Sequence, residues 1–274
     1  MTLTLELRTQ PPGRVSATAL TPDALDGMHA AQAAALTVRC GRQTIAVGDL
    51  FAPSGFGDSE LVLSGDLRLF DGIGAGMSFG RVMIDGACGD DVGARMRGGE
   101  IVVRGDAGDS AGAELAGGLV RISGDAGARP GGAYPGVRAG MTGGEIVVSG
   151  SVGEEAGACM RRGLLAVGGR TGDGAGLRML AGTVIALGGI GGEAGLGNKR
   201  GSLVSGARVD PLPGYAFAAR YRPPALRLQL RRARELGLPV GDAMLVGEWA
   251  RWSGDHTEIG RGEILIYDEE EDPR

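Results

Sequence analysis

The stretch GEIVVRGDAGDSAGAELAGG (99–118) returns almost unchanged as GEIVVSGSVGEEAGACMRRG (144–163). The repeat behind these copies constrains the fold more than any other feature. Cutting after each terminal glycine gives segments 81–99, 100–118, 119–144, 145–163, 164–182 and 183–201. Five are 19 residues long; the third is seven longer through an insert in GARPGGAYPGVRAG, and 60–80 is an earlier, slightly longer copy. Positions two to four of a segment are mostly apolar, as in Val82-Met83-Ile84 and Ile146-Val147-Val148. Glycine recurs at the sixth position (Gly86, Gly105, Gly150), the ninth (Gly89, Gly108, Gly153) and the thirteenth (Gly93, Gly112, Gly157). Met or Leu follows at the sixteenth, as at Met96, Leu115, Met160 and Met179.

A strand of four or five residues cannot be followed by a helix here, because glycine every three or four residues makes helix too costly. The unit length suits one coil of a parallel β-helix, with short strands, sharp corners and a spacing of ~4.8 Å between coils. Each coil alone buries little and needs its neighbours. The glycines belong where φ is positive or stacked backbones crowd. A phosphate-cradling role is excluded, since it needs one glycine loop between one strand and one helix, not a set in every coil. The 54 glycines among 274 residues thus signal order, although such a level without a period marks disorder. Aromatics are 4% of the chain, so the core must be built from Val, Ile, Leu, Ala and Met.

The expected class is all-β, a parallel β-helix of about seven coils over 60–206, with small α/β caps over 1–59 and 207–274. In the first cap TLTLELR reads as a strand, TPDALDGM as a short helix capped by Thr21 with Pro22 at its first position, and QTIAVGDLF as a degenerate first coil. In the second, Ala225–Leu236 reads as an amphipathic helix with Leu226, Leu230 and Ala233 on one face, stopped by Gly237 and Pro239. EWARWSG and GEILIY read as strands, and DEEEDPR as a solvated tail. Trp249 and Trp252 are expected to pack the C-terminal cap.

The net charge of −5 gives no general attraction to nucleic acid. Cys40, Cys88 and Cys159 are far apart and odd in number, which fits a reducing compartment better than a disulfide framework. No Cys and His spacing for a metal exists, and no run reaches the ~18 apolar residues of a membrane span. The expectation is a cytoplasmic protein without nucleic-acid or membrane partners. No nucleophile–base set is visible. His256, beside Asp255 and Glu258, is an acid–base look-alike and reads as a polar loop residue. Asp90, Asp91, Asp109, Glu154, Glu155, Asp173 and Glu193 fall at the tenth or eleventh positions and read as a solvated acidic edge. A basic stripe occupies the fifteenth to eighteenth positions: Arg95, Arg97, Arg161, Arg162, Arg178, Lys199 and Arg200, with Arg138 of the insert beside it. It is a charged edge against aggregation, a contact for a partner protein, or a site for a polyanion. No catalytic, cofactor-binding or metal-binding residue is assigned.

The glycine-spaced coils resemble the β-helix at the C-terminus of glutamate synthase large subunits. AVGDLF (46–51), the GDAG corners at Gly105 and Gly124, the longer third coil with AGMTGGEI and the closing GRGEI (260–264) more closely resemble the C subunits of formylmethanofuran dehydrogenases and of the bacterial formyltransferase/hydrolase complex. That resemblance implies a right-handed parallel β-helix in a complex with subunits A, B and D, where the reactive sites lie on the other subunits. It implies a structural role in transfer of formyl from formyl-tetrahydromethanopterin to a methanofuran-type carrier and its release as formate. The carrier's glutamate-rich tail is the polyanion the basic stripe would meet. One lysine against 27 arginines indicates a GC-rich genome and favours the bacterial complex. The alternatives are a tungsten or molybdenum formylmethanofuran dehydrogenase and a detached glutamate-synthase-type module. A polysaccharide-lyase-type enzyme, a further possibility, is opposed by the lack of aromatic sugar platforms.

Overall fold

A computed structural model of the chain describes residues 2–267. The tail DEEEDPR lies outside the described residues. The chain opens with β1 (Leu3–Leu7), β2 (Val15–Ser16), α1 (Pro22–Leu25), α2 (Ala30–Ala35), β3 (Thr37–Cys40), β4 (Gln43–Ala46), α3 (Val47–Leu50) and β5 (Phe51–Gly55). The repeat then supplies β6 (Glu60–Ser64), β7 (Phe70–Asp71), β8 (Arg81–Asp85), β9 (Glu100–Val103), β10 (Leu119–Ile122), β11 (Glu145–Val148), β12 (Leu164–Val167), β13 (Thr183–Ala186) and β14 (Ser202–Ser205). The chain continues with β15 (Ala216–Tyr221), α4 (Pro224–Glu235), α5 (Asp242–Val246), β16 (Trp249–Gly254) and β17 (Gly262–Tyr267).

Thirteen strands form one sheet in the order β15-β16-β17-β14-β13-β12-β11-β10-β9-β8-β6-β1-β5, and its long middle is parallel. Such an architecture is compatible with the expected β-helix. Inward side chains stack in a continuous column: Val82, Ile101, Val120, Ile146, Leu165, Val184 and Leu203 share one register and are 0% exposed. The insert does not disturb it, because Met141 donates from its backbone N to Gly131 O at 2.9 Å and closes the excursion. A second interior column is Met96, Leu115, Met141, Met160 and Met179, also 0% exposed. The four unbranched methionines, with Leu115 among them, fill the space aromatics would fill elsewhere.

The glycines divide by cause. At the thirteenth position Gly112 has φ +61, and a Cβ there would lie 2.5 Å from Ile146 Cδ1. At the ninth, Gly108 has no positive φ; a Cβ would meet Asp90 N and Gly89 C of the preceding unit at 2.8 Å. Of the two grounds for glycine, positive φ and crowded backbones, only the second holds at Gly108.

The acidic edge is also corrected in part. Asp71, Asp90 and Asp109 each accept a hydrogen bond from the backbone N–H one unit on, at Asp90 (3.0 Å), Asp109 (2.9 Å) and Ala128 (2.8 Å). Asp106, Asp125 and Ser151 form a second ladder to the N–H groups of Asp125, Ser151 and Arg170, and Asp173 accepts from Gly192. These carboxylates satisfy corner amides that the sheet leaves unpaired. Glu154 and Glu193 remain exposed, as expected.

Thr21 caps α1, accepting from Ala24 N at 3.1 Å. The stretch 43–51 is not a degenerate coil: β4 pairs antiparallel with β3 in a separate four-stranded sheet, Val47–Leu50 is a helical turn, and β5 pairs antiparallel with β1. At the other end α4 buries Leu226, Leu230 and Ala233 on the outer face of the sheet, against Val147, Ala166, Ile185 and Val204. Arg232 grips Glu145 at 2.7 and 2.9 Å, and Arg121 donates to Leu236 O at 3.1 Å, satisfying a carbonyl at the helix end. Trp249 is buried at the edge of this second core; Trp252 packs edge-to-face on Phe217, ring centroids 5.8 Å apart.

Candidate functional site

The corner after each interior methionine sets out the basic residues. Backbone N–H groups of Arg161, Leu180 and Lys199 each donate at 2.8 Å to the carbonyl of the preceding unit's methionine: Met141, Met160 and Met179. The pairs Arg161-Arg162, Leu180-Ala181 and Lys199-Arg200 therefore stack, and the outer pairs lie roughly 10 Å apart, two strand spacings. Small Ala181 between them leaves a cavity of about 520 Å³ lined by Thr142, Arg161, Arg162, Leu180, Ala181 and Arg200. Leu180 is the ridge to a neighbouring cavity of about 470 Å³, whose rim holds Arg138, Arg178, Lys199, Cys159 and Glu258.

Six of the eight basic residues singled out from the sequence thus come together, three in each depression. Arg178 (φ 51) and Cys159 (φ 58) reach the second one from left-handed backbone, a conformation costing about 1–2 kcal/mol for a residue with a Cβ. Among the described residues Lys199 alone of the six is ion-paired, with Glu258 at 3.3 Å. The remaining five cations face solvent with no carboxylate within 4 Å among the described residues, so their fields add in the depressions. The earlier members of the stripe go elsewhere: Arg95 pairs with Glu114 at 2.8 Å and lies over the Tyr134 ring, 5.0 Å from its centroid, while Arg97 is an exposed corner residue.

Groups suited to bond-making chemistry are absent from these depressions among the described residues. Burial pushes the Cys159 thiol up, Glu155 adds to this, and Arg178 opposes it; a thiol held protonated is a poor nucleophile. Buried Cys88 is pushed up to about 12 by burial and then by Asp90 and Asp71. His256 has no acid–base partner in Asp255. That carboxylate accepts from the backbone N–H groups of Thr257 at 2.9 Å and Gly197 at 3.2 Å, and Glu258 is taken by Lys199. Among the described residues no three His, Cys, Asp or Glu side chains gather as metal ligands. No helix among them is long and apolar enough to cross a membrane. What the arrangement can do is hold an anion or an acidic surface.

Sequence reasoning missed a second polar cluster. Tyr134, in the insert, donates its hydroxyl to Asp91 at 2.6 Å, tying the insert to a unit two strands back. Burial raises the Asp91 carboxyl; the Tyr134 hydroxyl opposes this and the neighbouring Asp90 and Asp71 reinforce it. Arg14 bridges Asp71 and Asp90 at 2.6 and 2.7 Å. The one available signal was the aromatic in a glycine-rich insert of a chain with few aromatics.

No protein-family model matches the chain. It is similar to the C subunit of the formyltransferase/hydrolase complex Fhc of Methylorubrum extorquens, 36% identical over 86 residues, which are 31% of this chain and 32% of that protein. That alignment spans about a third of the curated relative's length. The chain is also similar in three dimensions to a chain in the crystal structure of the formyltransferase/hydrolase complex FhcABCD from Methylorubrum extorquens with methylofuran. There the TM-score is 0.87 at 33% identity, covering 97% of this chain and 99% of that one.

Proposed function

The chain belongs to the family of formyltransferase/hydrolase complex C subunits, and from that premise we propose that it is a non-catalytic scaffold within such a complex. In this reading it assembles with subunits A, B and D in the cytoplasm. The assembly moves formyl from formyl-tetrahydromethanopterin to a methanofuran-type carrier and releases formate, and this chain holds no cofactor of its own. Its body is a right-handed parallel β-helix of about seven coils over 60–206, closed by caps over 1–59 and 207–274. The corner glycines and buried columns serve that rigidity. The observation carrying the proposal is similarity over 97% of the chain to one member of a multisubunit complex, at 33% identity. The ladders that occupy its carboxylates support the non-catalytic part.

The two basic depressions are the proposed contact of this chain with an acidic face of a partner or with the glutamate-rich tail of the carrier. The test is purification of the tagged full chain from its source organism, with mass spectrometry and assays of formyl transfer and formate release. Expected are co-purifying A, B and D subunits, activity in the assembly and none in the chain alone. A chain that purifies alone, or releases formate unaided, overturns the proposal.

A further inference from the structure

The outer face of the sheet is covered over one half only. On β11 to β14 the central outward residues are Val147, Ala166, Ile185 and Val204, all buried beneath α4. On β6, β8 and β9 the equivalent residues are Val62, Met83 and Val102, half-buried and in the same register. The strands β9 and β11 share the sequence EIVV, yet Val147 is closed off by α4 and Val102 is not. The uncovered stripe has the layout of a docking site, an apolar line between charged rows. Arg81 meets Glu100 at 3.3 Å on one side, and Asp85 meets Arg104 at 3.4 Å on the other. It continues the line of α4, which ends where Arg121 takes the carbonyl of Leu236 and Gly237 (φ +99) turns the chain away.

We propose that this half of the face docks an amphipathic helix from another polypeptide, lying across the strands in line with α4. Three strand spacings separate Val62 from Arg121, about 14 Å, which an α-helix of about ten residues spans. Its apolar residues should follow the spacing by which Leu226, Leu230 and Ala233 fit the other half. A second copy of this chain has no free amphipathic helix to offer among the described residues. Among the described residues the other helices have six residues or fewer, and the apolar face of α4 is already buried. The proposal rests on the chain being one member of a hetero-oligomer.

The test adds one accessible cysteine at Met83→Cys, and separately at Val102→Cys, in a Cys159→Ser background that keeps only the buried Cys40 and Cys88. Both sites are half-exposed, and a melting curve verifies folding of each. Maleimide labelling is compared between the full chain alone and the purified assembly, and a photo-crosslinker at the same sulfur maps the neighbour. Expected are labelling at least tenfold slower in the assembly and a crosslink to a segment of another polypeptide with apolar residues at i, i+4 and i+7. Equal labelling rates in an intact assembly, or a crosslink to an extended segment or to a second copy, overturn the docking proposal and leave the proposed scaffold role standing. A chain that never enters an assembly overturns both.

Discussion

A methyl group added at Gly108 should wedge two units apart. In Gly108→Ala the new Cβ would sit 2.8 Å from Asp90 N and from Gly89 C, where carbon contacts relax at ~3.5–4.0 Å. Both are backbone atoms of the preceding unit, so no rotamer change relieves the clash. Overpacking of this kind costs about 1–3 kcal/mol. The Asp90 carboxylate also lies in the path of the methyl, and its bond to Asp109 N at 2.9 Å is lost with the displacement; a hydrogen bond to a charged group contributes about 1.5–3 kcal/mol. Together the loss is about 2.5–6 kcal/mol. At about 2–4 °C per kcal/mol for a large domain, the melting temperature should fall by about 10 °C. The control is Gly76→Ala, where φ is +72 and a Cβ would meet nothing within 4 Å. Left-handed strain of about 1–2 kcal/mol is there offset by about 0.4–1 kcal/mol from the stiffer unfolded chain. Thermal unfolding followed by far-ultraviolet circular dichroism compares the two variants with the parent. The reasoning is refuted if Gly108→Ala melts within about 2 °C of the parent, or if Gly76→Ala costs more.

Leu230→Ala, at a fully buried position between α4 and the sheet, should cost about 2–5 kcal/mol, with amide exchange rising first in α4. Asp109→Ala removes the acceptor for Ala128 N and should cost about 1–3 kcal/mol in urea unfolding, whereas Glu154→Ala on the exposed edge should stay within about 0.5 kcal/mol. Burial works to raise the Asp255 carboxyl, but the N–H groups of Thr257 and Gly197 outweigh it and hold it below the usual aspartate range. Its stabilisation is then complete above the unfolded value near ~4 and is lost as pH falls through the lower folded value. Asp255→Asn should flatten that acid limb in melts taken across pH, and an unchanged limb contradicts the assignment. Arg161→Ala with Arg162→Ala, both exposed, should leave the isolated chain within about 0.5 kcal/mol. In the assembly it should produce either loss of a partner on gel filtration or a salt-sensitive rise in the KM for the carrier; neither effect at low salt means the corner is only solvated.

Periodicity made the stacked strands legible. Every strand from β8 to β14 begins at the first position after a terminal glycine, because apolar alternation and glycine spacing are both local in sequence. Helix α4 was legible within a residue at each end, since Leu226, Leu230 and Ala233 mark one face. The place where α4 docks was not, although outward Val147, Ala166, Ile185 and Val204 carried the hint: two-sided burial reads like any apolar run. The basic residues were visible as a list, but their partition around Leu180 depends on small Ala181 and on the insert bringing Arg138 alongside. Aspartates of the ladders looked like a wet edge, because a carboxylate that accepts a backbone N–H and one that faces water have the same letter. The turn at Val47–Leu50 and the short helices α2 and α5 carry too few residues to show a period.

The side-chain ladders all run one way. From Asp71 to Asp90, Asp90 to Asp109, Asp106 to Asp125 and Asp173 to Gly192, the acceptor precedes the donor in the chain. A unit already laid down therefore offers carboxylates to amides that leave the ribosome after it, and none of these bonds waits for a later side chain. Synthesis proceeds from the N-terminus at about 5–20 residues per second, so each 19-residue unit has about one to four seconds to settle on a template whose acceptors are in place. The fold is suited to vectorial growth, like a crystal with one active end. A chain truncated within the repeat should carry ordered units up to the cut, whereas one deprived of its first units has lost the surface on which the rest was cast.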